Sequence, residues 1–381
     1  MKKIAFLSTY SLNEPVLKNR ITPFIDIALE RGFTVTLVNP SGGEYHQSAD
    51  KNFRHRALNI PQANRGNFFV RTLREISLAR KILKSAPDDV DVTFVTIPSM
   101  FLLFLFGRGR FKYSVLDVRD LTWEYLSEGS AVMRSAKRVF RLCAGLKVPK
   151  FNLYTVTNKA EEKYLLDRFG VSPERIILCP NGISRRQYEQ VLAMPEPVKV
   201  AKNESPTMVY VGNVGLAQNL VTLVETAKML PNFNFVIVGG GSDFERIQKS
   251  AKGVPNIDLK GRIDWNEVPS VYQQADILWA QLTPEFAGAV PSKLYEYLAT
   301  GKPVIYGGMG EAVSVVSGFE RVCLVAPEDS NELVAAIESF LNDNNVSRLS
   351  RNNQRKIADS FIRENSVHRF YEKLLSNKEL D

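Results

Sequence analysis

Short apolar runs bounded by turn residues alternate with longer stretches of helical periodicity along the whole chain. The first kind reads as buried strand and the second as helix. Lys3 to Ser8 predicts a strand, Thr22 to Glu30 an amphipathic helix ended at Gly32, and Phe33 to Asn39 (FTVTLVN) a second strand. Arg65 to Lys84 has helical periodicity with a basic side. Val92 to Ile97 predicts a strand, Ser99 to Phe106 a buried helix and Ser114 to Val118 a further strand. LYTVTN predicts a strand, Lys159 to Phe169 a helix and Arg175 to Leu178 another strand. Residues 186–205 are rich in Pro, Lys and Glu without a long apolar run, which marks an interdomain linker.

The pattern then restarts. Thr207 to Val211, Asn234 to Val238, Ile257 to Leu259, Ile277 to Ala280 and Arg321 to Val325 predict strands, with helices at Leu220 to Leu230 and Ser330 to Leu341. Pro284 to Gly308 (PEFAGAVPSKLYEYLATGKPVIYGG) predicts a loop, a short helix, a tight turn and a buried strand. Asn352 to Leu375 predicts one last helix. Two successive α/β halves predict two Rossmann-like domains with parallel sheets facing a cleft, over 1–185 and 206–351.

A chain of 381 residues has room for two cores. A hydrophobic content of 44% and a charged content of 24% are those of an ordinary globular protein. The start, MKKIAFLSTYSLNEP, alternates and ends in turn residues, so it predicts a strand rather than a signal peptide. Met100 to Phe106, the longest apolar stretch, is far short of the ~20 residues that span a bilayer. Three scattered cysteines, Cys143, Cys179 and Cys323, suggest a reducing compartment, so the expectation is a cytoplasmic protein. No cysteine pair has metal-ligand spacing, and His46, His55 and His368 do not cluster. Asp89-Val90-Asp91 has the spacing of a metal-binding pair but sits in a polar turn, where Asp is common.

The net charge of +8 favours an anionic partner. No nucleic-acid-binding signature accompanies it, which leaves an anionic membrane or a diphosphate-bearing substrate. Between Ser130 and Lys159 there is no acid, while Arg134, Lys137, Arg138, Arg141, Lys147 and Lys150 alternate with Val139, Phe140, Leu142 and Leu146. Segment 134–150 reads either as a membrane-docking helix or as a sheet-packed helix with a solvated basic face.

The chemistry concentrates at predicted strand ends, where open α/β sheets bind ligands. Gly212-Asn213-Val214-Gly215, Gly239-Gly240-Gly241 and Gly261-Arg262 all fall there. In the 284–308 stretch, Gly288 lets backbone approach a ligand closely. Pro291 is placed to begin the helix, and Ser292 and Lys293 occupy the first turn, where free N–H groups and the dipole attract an anion. Gly301 and Pro303 end it. This outlines a phosphate site; the plainer alternative is an ordinary strand–loop–helix with a surface lysine. After the first strand, Ser8-Thr9-Tyr10-Ser11 replaces a glycine-rich dinucleotide loop, so standard dinucleotide binding is not expected in that half.

PSKLYEYLATGKPV resembles the donor-sugar signature of family 4 retaining glycosyltransferases of the GT-B fold, and RIILCPNGIS resembles the end of their first domain. The resemblance covers most of the chain and is strongest from about 206 to 308. It implies a GT-B architecture whose last helix, 352–381, crosses back to complete an acceptor-binding first domain. It implies a nucleotide-sugar donor, with a UDP-sugar favoured, held by the second domain, and a glycan or polyprenyl-diphosphate-linked acceptor. No metal or other cofactor is implied, because dipoles and cations of the protein stabilise the leaving diphosphate. The donor set would be Gly212, Asn213, Gly215, Gly239, Gly240, Arg262, Gly288, Ala289, Ser292, Lys293 and Glu296.

The departures from the family pattern matter. Glu296 matches the second of two family glutamates; Gly288 stands at the place of the first, and Glu285, three residues upstream, is the nearest candidate for a catalytic replacement. Asn213 and Gln218-Asn219 stand where many relatives carry an Arg and a Lys-Gly, as in O-antigen and capsule transferases with G-N-x-G-x-A-Q and P-S-K. Lys293 would then supply the catalytic positive charge. Arg119 stands where many relatives carry His, leaving Asp120 as the candidate base at the acceptor hydroxyl and Arg119 as a phosphate contact. The alternative for Asp120 is a cap on the following turn. The rival functions are a GT-B epimerase or phosphorylase and a non-catalytic GT-B partner that binds nucleotide-sugar.

Overall fold

The computed structural model describes residues 2–59, 68–97, 99–124, 129–195, 205–341 and 348–377. Its contacts divide the chain into two units, Met1–Pro180 with Arg363–Asp381, and Asn181–Ile362.

The first unit contains, in order, β1 (Lys3–Leu7), α1 (Pro15–Glu30), β2 (Thr34–Pro40), β3 (Phe53–Leu58), α2 (Phe68–Ser85), β4 (Val92–Thr96), α3 (Met100–Leu105), β5 (Tyr113–Val118), α4 (Ala131–Lys147), β6 (Leu153–Val156), α5 (Lys159–Phe169) and β7 (Ile176–Leu178). Its seven strands pair in parallel in the order β3-β2-β1-β4-β5-β6-β7. Both faces are covered, and the period of two sorts residues between them. Ile4 and Phe6 enter one core, Ala5 and Leu7 the other.

The second unit contains α6 (Arg185–Leu192), β8 (Thr207–Val211), α7 (Val221–Met229), β9 (Asn234–Val238), α8 (Phe244–Ser250), β10 (Ile257–Gly261), α9 (Val268–Gln273), β11 (Ile277–Gln281), α10 (Ser292–Thr300), β12 (Val304–Gly307), α11 (Glu311–Val316), β13 (Val322–Val325), α12 (Ser330–Leu341) and α13 (Arg351–Ser360). The parallel strand order is β10-β9-β8-β11-β12-β13. Val209 and Val211 face one core, Met208 and Tyr210 the other. The order reverses between β8 and β11, as it does between β1 and β4, and such switch points are where doubly wound sheets bind ligands.

A final helix, α14 (Arg363–Leu375), returns to the first unit. Val367, Phe370, Tyr371 and Leu374 form its buried stripe. Phe370 meets Phe24 of α1 edge-on at 5.2 Å, and the Tyr371 hydroxyl donates to Phe24 O at 2.7 Å.

Several boundaries differ from the sequence pattern, and α1 begins at Pro15 rather than Thr22. The single predicted helix over 352–381 is two helices, broken at Phe361-Ile362, and α13 packs on α10 in the second unit. Ile183 N donates to Phe361 O at 2.9 Å, and a Cβ on Gly182 would lie 1.8 Å from that oxygen. This contact turns the chain between the helices. The linker of 186–205 opens as α6, begun by a capping box of Ser184 and Gln187. Tyr188 of α6 donates to Gln354 O at 3.0 Å, so this segment belongs to the second unit, whereas 196–204 lie outside the described residues. Arg65 to Asn67, the start of the second predicted helix, also lie outside them. The strand β3 (FRHRAL) was not predicted, because its polar alternation is that of a sheet edge.

Among the described residues, no helix is long and apolar enough to cross a membrane. Asp91 accepts from Lys3 N at 2.7 Å and Asp89 pairs with the Lys3 ammonium, so this acidic pair fastens the start of β1.

Candidate functional site

The loop after β11 begins with a 3-10 turn, Pro284–Phe286, and ends at Pro291. Pro291 is the N-cap of α10 rather than its first helical residue, with φ −63° and ψ 129°. Ser292 and Lys293 are therefore the first two residues of the helix, ahead of its own hydrogen-bond ladder. Gly301 ends α10 at φ +74°, as its lack of Cβ allows.

Lys293 does not simply project from this turn. Its ammonium lies 3.9 Å from the centre of the Tyr210 ring and donates to the Tyr210 hydroxyl. That hydroxyl in turn donates to Asn213 O. A chain of polar contacts thus runs from α10, through β8, into the Gly212–Gly215 loop. Part of the lysine reaches solvent, but the ammonium end is enclosed. Burial, opposed by the Glu296 charge, pushes its pKa down to about 7. Glu296, one turn on, accepts from the Tyr272 hydroxyl at 2.8 Å. Lys293 and Glu296 share one side of α10 by their spacing.

The glycine loops form a shelf beside this lysine. Gly212 has φ +152°, and a Cβ there would lie 2.6 Å from Lys293 Nζ. Gly239 has φ +144°, and its Cβ would strike Gly212 O at 1.7 Å. Both positions need glycine for approach as well as for backbone angle. Gly212 N donates to Val238 O at 2.9 Å, Val214 N to Gly240 O at 3.2 Å and Gly239 N to Gly261 O at 2.6 Å. These bonds stack the ends of β8, β9 and β10. Gly240 backs onto the side chain of Arg262, which is exposed, and Gly215 onto Asn213, whose amide donates to Gln218 Oε1 at 3.1 Å. Gln281, at the end of β11, donates to Gln218 O, Asn219 O and Thr222 Oγ1.

In the 285–290 loop, Gly288 is half-buried, and Ala289 N donates to Phe286 O at 2.9 Å. Ala287 O accepts from Glu311 N at 2.9 Å, which ties the loop to α11. Glu285 is exposed on the 3-10 turn. Hydrogen bonds from its own backbone and the Thr283 hydroxyl hold its carboxyl below the usual range. That environment suits a turn cap.

Arg119 and Asp120 follow β5 in the first unit. Asp117 lies beneath them, fully buried, and accepts from Arg20 Nε at 3.1 Å and Nη2 at 2.6 Å, Thr96 Oγ1 at 2.9 Å and Thr155 Oγ1 at 2.6 Å. The Arg119 Nε is buried without a hydrogen-bond partner among the described residues. Burial lowers the Arg119 pKa against the pull of Asp117, and raises that of Asp120 against the pull of Arg119. Asp120 makes no hydrogen bond among the described residues, so no turn cap is formed there. Nearby Glu161 is buried, accepts from Thr157 N at 2.6 Å, and is pushed up to about 7 by burial.

Tyr210, Tyr272 and Glu161 were not singled out from the sequence. The two tyrosines sit in apolar strand and helix patterns where they read as core, and Glu161 sits in the charged first turn of α5, where it reads as solvated. Among the described residues, no group of three or more His, Cys, Asp or Glu is placed to hold a metal.

Residues 196–358 match the sequence model of the family described as glycosyl transferases group 1. The matched stretch takes up most of the second unit. The chain is also 21% identical over 354 residues, 90% of its length and 91% of the relative's, to an uncharacterised glycosyltransferase of Haemophilus influenzae. The sucrose-phosphate synthase of Thermosynechococcus elongatus superposes with a TM-score of 0.72 at 18% identity, covering 99% of this chain and 100% of that one. HepE of Anabaena, solved in complex with UDP and glucose, superposes with a TM-score of 0.69 at 16% identity, covering 99% and 100%. The fold is GT-B, and the candidate donor residues all lie in the stretch that matches the family model.

Proposed function

We propose that the chain is a retaining, metal-independent glycosyltransferase that moves a sugar from a UDP-sugar to a hydroxyl of a surface glycan carried on a lipid diphosphate. The observation that carries this reading is Lys293, enclosed at the N-terminus of α10 and packed against the Gly212 shelf. HepE, a neighbour in fold, has been solved with UDP, which favours that nucleotide here.

Charge accumulates on the leaving diphosphate as the glycosidic bond breaks. The Lys293 ammonium and the first N–H groups of α10, at Ser292 and Lys293, stabilise that charge. Gly212, Gly215, Gly239 and Gly240 admit the phosphates to the backbone, with Asn213 and Arg262 at their rim. Glu296, oriented by Tyr272, accepts from ribose hydroxyls. Gly288 and Ala289 line the sugar's approach. Departure and attack on the same face retain configuration. Asp120 takes the acceptor proton, a role suited by its burial-raised pKa, and Arg119 contacts an acceptor phosphate. Glu285 serves as a turn cap in this account. The setting is the cytoplasmic face of a membrane.

A thermal-shift panel of UDP, GDP, ADP and their sugar conjugates tests the donor reading. A binding nucleotide raises the apparent stability by mass action. UDP and a UDP-sugar should raise the melting temperature of the wild type, and Lys293→Ala should lose most of that rise. No response to any diphosphate would contradict it.

A further inference from the structure

α4 is amphipathic, with its two sides differently occupied. Ser130 caps it, its hydroxyl accepting from Met133 N at 3.2 Å. Its inner side holds the buried Lys137 and Ala144, and Phe140, which meets Phe101 and Phe104 at 6.0 and 5.7 Å. On its outer side Val132, Val139, Leu142 and Leu146 are 68%, 55%, 67% and 60% exposed. Their spacing sets them in one stripe along the helix. Single exposed apolar residues are ordinary, but four aligned on one helix are a surface. Leu142 and Leu146 continue into a groove of about 300 Å³ shared with Gly145, Tyr164 and Phe169, with Arg141 and Arg168 on its rim.

The exposed charge of the segment has one sign. Arg134 and Arg138 are exposed beside the stripe and Lys150 just beyond its end, and no acid occurs between Ser130 and Lys159. The other basic residues of the segment face elsewhere. Lys137 is buried, Arg141 pairs with Glu124, and the Lys147 ammonium donates to Phe106 O at 2.9 Å.

We infer that this outer face of α4 docks on an anionic phospholipid bilayer, with the four apolar side chains in the acyl boundary and Arg138 and Lys150 at headgroup phosphates. An apolar stripe flanked by exposed cations, with the carboxylate of Glu124 already paired to Arg141, complements such a surface on both counts. The groove between α4 and α5 gives a lipid chain a place beside the leucines. The docking needs neither donor nor acceptor, so it stands or falls apart from the transferase reading.

The test is co-sedimentation of the full chain with vesicles of phosphatidylcholine alone or with phosphatidylglycerol added. Binding should favour the anionic vesicles by at least about tenfold and weaken as salt rises. Leu142→Ser with Leu146→Ser should cut binding at least about tenfold with melting temperature and elution volume unchanged. Arg138→Gln with Lys150→Gln should remove the preference for anionic lipid, and Leu73→Ser, an exposed leucine on α2, should bind as wild type. Wild-type chain left in the supernatant with every vesicle would overturn the inference. So would a double leucine variant that pellets like wild type, or a solution dimer that this variant dissociates, since a second copy would then cover the face.

Discussion

At the scale of single residues, Lys293 is the group on which the proposed donor site turns. Its place in the first turn of α10 was legible from Pro291 and Gly301, but its partner was not. Tyr210 lies in an apolar strand run and reads as core, which it also is; only the fold brings its ring and hydroxyl against Lys293. The pKa near 7 gives a signed prediction. A diphosphate binds the ammonium form and raises its pKa, so binding near neutral pH should take up a proton. Affinity should therefore fall as the pH rises from about 7, where the free lysine loses its charge. Calorimetry of UDP in buffers of different ionisation enthalpy checks this, and Lys293→Ala should abolish the uptake. Zero proton uptake by the wild type would mean that Lys293 does not meet the phosphate.

At the scale of elements, most strands were legible because both faces of each parallel sheet are buried and the runs are almost purely apolar. β3 escaped because an edge strand carries His55 and Arg56 on a polar alternation. The break at Phe361-Ile362 escaped because both halves keep helical periodicity, and the cause lies in the distant close approach of Gly182. Asp117 joins elements in a comparable way, binding α1 through Arg20 and β4 and β6 through Thr96 and Thr155. Burial works to raise its pKa, but the Arg20 charge and hydrogen bonds outweigh that and hold it below the usual range. Its contribution is thus present above the unfolded value of about 3.9 and lost as the pH falls through the lower folded value. Asp117→Asn leaves the Arg20 charge buried without its partner, and urea denaturation at neutral pH should show a loss of about 3–5 kcal/mol. The variant should also lose part of the wild type's sensitivity to acid. A loss under about 1 kcal/mol would show that Arg20 finds other compensation.

At the scale of the whole molecule, the two α/β halves were legible from the restart of the pattern after residue 205, and the likeness to glycosyltransferases from PSKLYEYLATGKPV. The assignment of α13 was not, because periodicity does not report which core a helix joins. Each unit keeps its own cores: those of the second draw only on residues between Ile183 and Ile362. A fragment of residues 181–362 should therefore fold and bind UDP by calorimetry; a folded fragment without affinity would move the donor site away from the Gly212 shelf. The proposed chemistry is turnover of a nucleotide-sugar, with Lys293 stabilising the departing diphosphate. Its most direct measurement is the steady-state rate of UDP release from a UDP-sugar that binds, for wild type and Lys293→Ala. The wild type should turn the donor over, and kcat should be lower by roughly 10²–10³ in the variant. A donor that binds but is never turned over, or equal rates from the two proteins, would contradict it.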